Sequence, residues 1–193
     1  MNKKLLVSVL SVALVLCTAA GVTLAWLKDT TEPVVNTFTV GDINIDLDET
    51  QREYKMVPDA LIDKDPTVTV KAGSEACWLF VKIEESADFD EYMTYETDSV
   101  WTALSGYTGV YYYNGTDLNN LLTADKTYSV LKDDQVKVLG TVTKEDLNSF
   151  DTNGDGALSD AEKANLPTLT FTAYAVQKLS FDSAASAWAE ASK

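Results

Sequence analysis

The chain contains no histidine. An HExxH zinc helix, any other His-based zinc site and a Cys–His nucleophile are therefore out of reach, because each needs an imidazole as ligand or base. Cysteine is nearly as scarce. The two thiols are Cys17 and Cys77, and the first lies in an apolar leader, which leaves Cys77 alone and excludes an intrachain disulfide. Cys77 stands within Ala76-Cys77-Trp78-Leu79-Phe80-Val81, a run that reads as buried strand and not as a reactive site. Basic side chains are also few, 15 against 30 acidic ones. Such a surface repels nucleic acid and anionic membranes and favours cations. No pair of acids stands out for glycosidase work among so many, so the reading is of a protein that is not an enzyme.

What is present begins with a leader. Lys3 and Lys4 precede a run from Leu5 to Ala20 that is apolar apart from two serines and a threonine. That is long enough for the core of a secretion signal, and short and wrongly flanked for a stable membrane span. Thr23-Leu24-Ala25 supplies small residues for cleavage after Ala25, so residues 1–25 are expected to be a signal peptide and the remainder a secreted chain. Residues 1–25 hold two lysines and no acids, so the chain beyond them carries 13 basic and 30 acidic side chains, a net −17. Its 168 residues suit a single domain, 26–193, with a real core. Residues 26–36 are polar, carry Pro33, and read as a mobile N-terminal segment.

The body reads as all-β. Ile43, Ile45 and Leu47 alternate with Asp42, Asn44, Asp46 and Asp48, the two-residue period of a half-buried strand, and Thr37 to Val40 extend it backwards with Gly41 at a bend. Thr67 to Lys71 form a second strand. Ala76 to Glu84 form a third, apolar enough to be buried on both faces at the centre of the core. Residues 54–65 carry turn signals, Asp88 to Thr94 suggest a helical turn, and Ser99 to Leu104 a further strand. Val110-Tyr111-Tyr112-Tyr113 followed by Asn114-Gly115 predicts a tight hairpin. Thr127 to Leu131 and Gln135 to Val142 read as another pair of strands, Thr168 to Gln177 as the last, and Asp182 to Lys193 as a helix packed by Trp188 or a frayed end. Short strands at this spacing predict an antiparallel β-sandwich, jelly-roll-like or immunoglobulin-like, with short helices around one loop and at the C-terminus.

That loop is the one metal-binding motif. Asp151 to Glu162 match the twelve-residue EF-hand loop at each constrained place. Asp151, Asn153 and Asp155 offer side-chain oxygens, Gly156 permits the sharp bend, and Ala157 offers its backbone carbonyl. Ser159 stands where a ligand often acts through water, and Glu162 closes the set with two oxygens. Hard oxygens of this kind suit Ca²⁺. Thr143-Lys144-Glu145-Asp146 opens a short entering helix with a capping box, and Asp160 to Leu166 make an exiting one stopped by Pro167, so residues 143–166 read as an EF-hand-like insertion. With no second loop to pair with it, the expected affinity is about 10⁻⁴–10⁻³ M, that of a structural clamp.

Three stretches carry a resemblance. TLAWLKDTTEPVVNTFTVGDINIDLDET, YKMVPDALIDKDPTVTVKAGSEACWLFVKIEES and LPTLTFTAYAVQK together resemble the TasA and camelysin group of exported Gram-positive proteins, over nearly the whole chain. The resemblance implies cleavage by a dedicated signal peptidase, a jelly-roll-like body, and self-association into extracellular fibres of the biofilm matrix, with matrix partner proteins. It also implies that the freed N-terminal segment, here Trp26 to Phe38, completes the sheet of the next subunit. The EF-hand-like loop departs from that pattern. The camelysin side has been classed as metalloprotease, a chemistry that the missing histidines do not support. The competing expectation is a monomeric, calcium-stabilised surface adhesin or binding module, suggested by the loop and the Tyr-rich hairpin.

Overall fold

The computed structural model describes residues 41–51 and 54–193. The expected signal peptide, the segment 26–36 and the 37–40 start of the expected first strand lie outside them. Val40–Lys193 cluster as one compact unit. Its architecture is mostly antiparallel β-sheet, in three sheets with a few short helices.

The strands are β1 (Ile45–Asp48), β2 (Leu61–Asp63), β3 (Thr67–Val70), β4 (Cys77–Glu85), β5 (Met93–Thr97), β6 (Trp101–Ala103), β7 (Val110–Tyr113), β8 (Lys126–Ser129), β9 (Leu131–Val138) and β10 (Leu169–Gln177). They order as β1-β3-β8, β10-β4-β7-β6 and β2-β9-β5. The helices are α1 (Phe89–Tyr92), α2 (Lys144–Asn148), α3 (Asp160–Lys163) and α4 (Ala184–Ala191), with a 3₁₀ turn at Lys178–Ser180.

The four-stranded sheet organises the rest because β4 is apolar on both faces. Leu79, Val81 and Ile83 point inward, where they join Val68, Val70, Tyr128 and Trp101, with Ile45 and Leu47 of β1 packed against them. Phe80 points outward and meets Ala187 and Trp188 of α4. Trp188 is enclosed by Phe80, Tyr174 and Tyr107, with ring centres 5.4, 5.0 and 6.5 Å away. The C-terminal residues therefore form a packed helix, capped at Ser183, in place of a frayed end. The third sheet has its own cluster of Phe89, Met93, Leu131, Val136 and Val138, which reaches Leu169 and Phe171 of β10.

Several expectations change. Asn114-Gly115 does not turn a hairpin. The β7 strand pairs with β6 and β4, while the next strand, β8, pairs with β3 in another sheet. Asn114 instead donates its side-chain amide to Ser99 O and Thr102 Oγ1, both at 3.0 Å. The hairpin is β6–β7, and its return needs a glycine. Gly109 has φ +70°, and a Cβ there would stand 2.3 Å from Ile83 O. The expected pair around Lys132-Asp133-Asp134 also separates. Asp133 and Asp134 sit at φ 55° and 53° inside β9, and β8 and β9 join different sheets. β2 and β5 fall in stretches whose turn and helix signals hid them. Among the described residues, no helix is long and apolar enough to cross a membrane.

Trp188→Ala should cost about 3–5 kcal/mol, the usual loss for a large buried ring. A urea unfolding midpoint matching the parent's would show that α4 is not part of the core.

Candidate metal centre

The loop from Asp151 to Glu162 lies between β9 and β10 and is anchored before it begins. Thr143 caps α2, its hydroxyl accepting the Asp146 N–H at 3.2 Å while its own N–H donates to Asp146 Oδ2 at 2.8 Å. This is the capping box expected from the sequence. Leu147 and Val142 join the core of the β2-β9-β5 sheet, and the Phe150 ring lies 5.2 Å from that of Tyr92.

The turn itself is built by side-chain acceptors on backbone donors. Asp151 takes the N–H of Gly154 on Oδ1 and that of Gly156 on Oδ2, both at 2.8 Å. Asn153 Oδ1 takes the Asp155 N–H and Asp155 Oδ1 the Ala157 N–H, both at 2.9 Å. The Asn153 amide donates to Asp155 Oδ2 at 3.1 Å. Gly154 and Gly156, at φ +70° and +84°, occupy the left-handed region that a side chain would resist. The structure thus brings Asp151, Asn153 and Asp155 onto one turn.

Ser159 and Glu162 are brought together elsewhere in the loop. Ser159 is the N-cap of α3, and its hydroxyl accepts the Glu162 N–H at 3.4 Å. Glu162 is only 5 % exposed. Its Oε2 accepts the N–H and hydroxyl of Ser159 at 2.9 and 2.7 Å. Its Oε1 accepts the Thr152 N–H and hydroxyl at 2.8 and 2.6 Å, and the Asn153 N–H at 3.3 Å. These donors, the Thr152 hydroxyl foremost and then the hydroxyl and N–H of Ser159, pull the carboxyl down to about 2.

Spacing alone assigns Ser159 and Glu162 to a metal and misses their second task. Ser159-x-x-Glu162 is also a helix capping box, and that signal is legible in the sequence. Thr152 could not have been found, because the loop pattern leaves its second position unconstrained. Among the described residues, no three or more His, Cys, Asp or Glu side chains gather as a metal group. The donor set of Asp151, Asn153, Asp155, the Ala157 carbonyl and Glu162 is hard oxygen throughout. Its chemistry fits Ca²⁺, although Glu162 is turned to its capping partners. Compared with known proteins, the chain matches no family model, no curated protein and no solved structure.

The depressed carboxyl of Glu162 has a pH consequence. Its contribution to stability is present above the ordinary glutamate value of 4.5 and is lost as pH falls towards about 2. Without added metal, the melting-temperature gap between parent and Glu162→Gln should close over that window. A gap that stays constant from neutral pH down to about 2 would show that the charge on Glu162 is not what holds the loop.

Proposed function

We propose that this chain is a secreted structural subunit of extracellular matrix fibres, not an enzyme, that it assembles by strand donation, and that Ca²⁺ steadies the loop between β9 and β10. The supporting observation is at β10. All nine of its residues pair with β4, from Leu169↔Glu85 to Gln177↔Cys77. Among the described residues, no strand pairs with its other edge. A long strand whose outer edge no described strand occupies is a template for an added strand. The resemblance to the TasA and camelysin group supplies the donor, Trp26 to Phe38 of a neighbouring copy. It also supplies the jelly-roll-like, sandwich reading of the three sheets and the signal peptidase that would free the donor's end.

In this reading Asp151, Asn153, Asp155 and the Ala157 carbonyl would hold Ca²⁺, with Ser159 acting through water. Glu162 would exchange the hydroxyls of Thr152 and Ser159 for the ion. A second reading, a monomeric surface binding module, draws on a groove of about 440 Å³ whose lining includes Tyr95, Tyr111, Glu85, Asp90 and Glu96. Tyr113 adds little to it, since its hydroxyl donates to Asp117 at 2.7 Å and its ring packs against Trp101 and Tyr128.

Two measurements test the proposal. Ca²⁺ at millimolar concentration should raise the melting temperature of the parent, because a ligand bound only by the folded state stabilises it by mass action. Glu162→Ala should remove the rise, and an unchanged parent curve would end the calcium assignment. Separately, chains beginning at Trp26 and at Thr37 are compared by sedimentation and electron microscopy, with and without Ca²⁺. The longer should form fibres and the shorter should stay monomeric; if the longer also stays monomeric at high concentration, strand donation is refuted.

A further inference from the structure

Lys64 is the one buried lysine among the described residues, 9 % exposed, and it stands where the three sheets meet. It follows β2, and its backbone N–H donates to Asp134 O of β9 at 2.7 Å. Its ammonium meets Glu49 Oε1, one residue beyond β1, at 2.5 Å. The same oxygen accepts the Tyr54 hydroxyl at 2.8 Å. The ammonium also lies 4.9 Å from the Tyr54 ring centre and 5.3 Å from that of Phe171 in β10. One side chain thus joins an end of each sheet through a charge pair walled by two rings.

β1 needs such an anchor. It is four residues long, at the margin of its sheet, and pairs only with β3 among the described strands. Its apolar side chains, Ile45 and Leu47, are only half buried. Beside the Thr50 N–H bond to Asp65 Oδ1 at 3.0 Å and the Asn44 N–H bond to Ser74 Oγ at 3.1 Å, two ion pairs reach the segment. Asp46–Lys71, at 2.8 Å, has side chains 51 and 40 % exposed, and an exposed pair of this kind contributes little against solvent and salt. Glu49–Lys64 has side chains 16 and 11 % exposed, and a shielded charge left without its partner is costly.

We propose that Glu49, Lys64 and Tyr54 form a clasp that decides whether residues 41–51 stay seated on the body, so that breaking it opens this segment locally while the other strands remain folded. The clasp concerns a single copy of the chain and stands whether or not the fibre reading does. Its position gives it a consequence for any partner that engages the residues before Gly41. The load from such contact enters the body through β1, where the clasp adds a shielded charge pair to the apolar packing of Ile45 and Leu47 on the inner face of β4.

The test is native-state hydrogen exchange on the monomeric chain beginning at Thr37, comparing the parent with Glu49→Gln, Asp46→Asn and Tyr54→Phe. In Glu49→Gln, the β1 amides should exchange about tenfold faster or more, the scale expected for losing a hydrogen-bonded charge, while the β4–β10 ladder keeps its parent rates. Tyr54→Phe removes the phenol hydroxyl, and with it the hydrogen bonds to Glu49 and to the Gln51 carbonyl of the same segment. It is the gentle arm should Glu49→Gln fail to fold, and it should speed the same amides by a smaller factor. Asp46→Asn should leave them nearly unchanged. The clasp is overturned if Glu49→Gln or Tyr54→Phe leaves β1 exchanging as in the parent, if either speeds all strands together, or if Asp46→Asn loosens β1 as much as Glu49→Gln does.

Discussion

The antiparallel ladder between β4 and β10 is the constraint from which the other placements follow. It joins nine residues to nine without a register break, and alternate side chains on both strands face opposite ways. One face, with Leu79, Val81, Phe171 and Ala173, receives the β1-β3-β8 sheet. The other, with Phe80, Tyr174 and Val176, receives α4. A slip of one residue would turn both sets to the wrong side. The ladder thus sets where the two cores lie, and the cores make the register costly to change. Cys77, at one end of β4, is 1 % exposed, and burial pushes its thiol up to about 11, which keeps it in the inert protonated form.

The acidic surface is handled locally. With acids twice as numerous as bases, carboxylates cannot all find cations, and many bind backbone N–H groups and hydroxyls instead. Asp146 caps a helix start, Asp151 and Asp155 fold their own turn, and Glu162 is surrounded by donors from Thr152, Asn153 and Ser159. The loop is therefore shaped by its own polar groups, and cation binding competes with bonds already made. Glu49 belongs with the exceptions, spent on a buried lysine where three sheets converge.

Short-range signals were the legible ones. The alternation of Ile43, Ile45 and Leu47, the apolar run of β4, the length of β10, the capping box at Thr143 and the turn-forming glycines 154 and 156 are each set within a few residues. The Asn114-Gly115 turn misled because a dipeptide that favours a hairpin closes one only if a partner strand follows, and here the following strand belongs to another sheet. β2 and β5 were missed because Leu61–Asp63 and Met93–Thr97 become strands by pairing with β9, not by propensity.

By itself the sequence determined an acidic, histidine-free, β-rich chain with an apolar run near residues 5–20 and one oxygen-rich loop, since composition and near-neighbour spacing suffice for each of these. Only the tertiary structure decided which strands share a sheet, that α4 covers the outer face of β4, and that Lys64 meets Glu49. Those depend on residues far apart in the chain coming into contact, and the free energy of such contacts comes from shared burial and mutual hydrogen bonding, which no local pattern encodes.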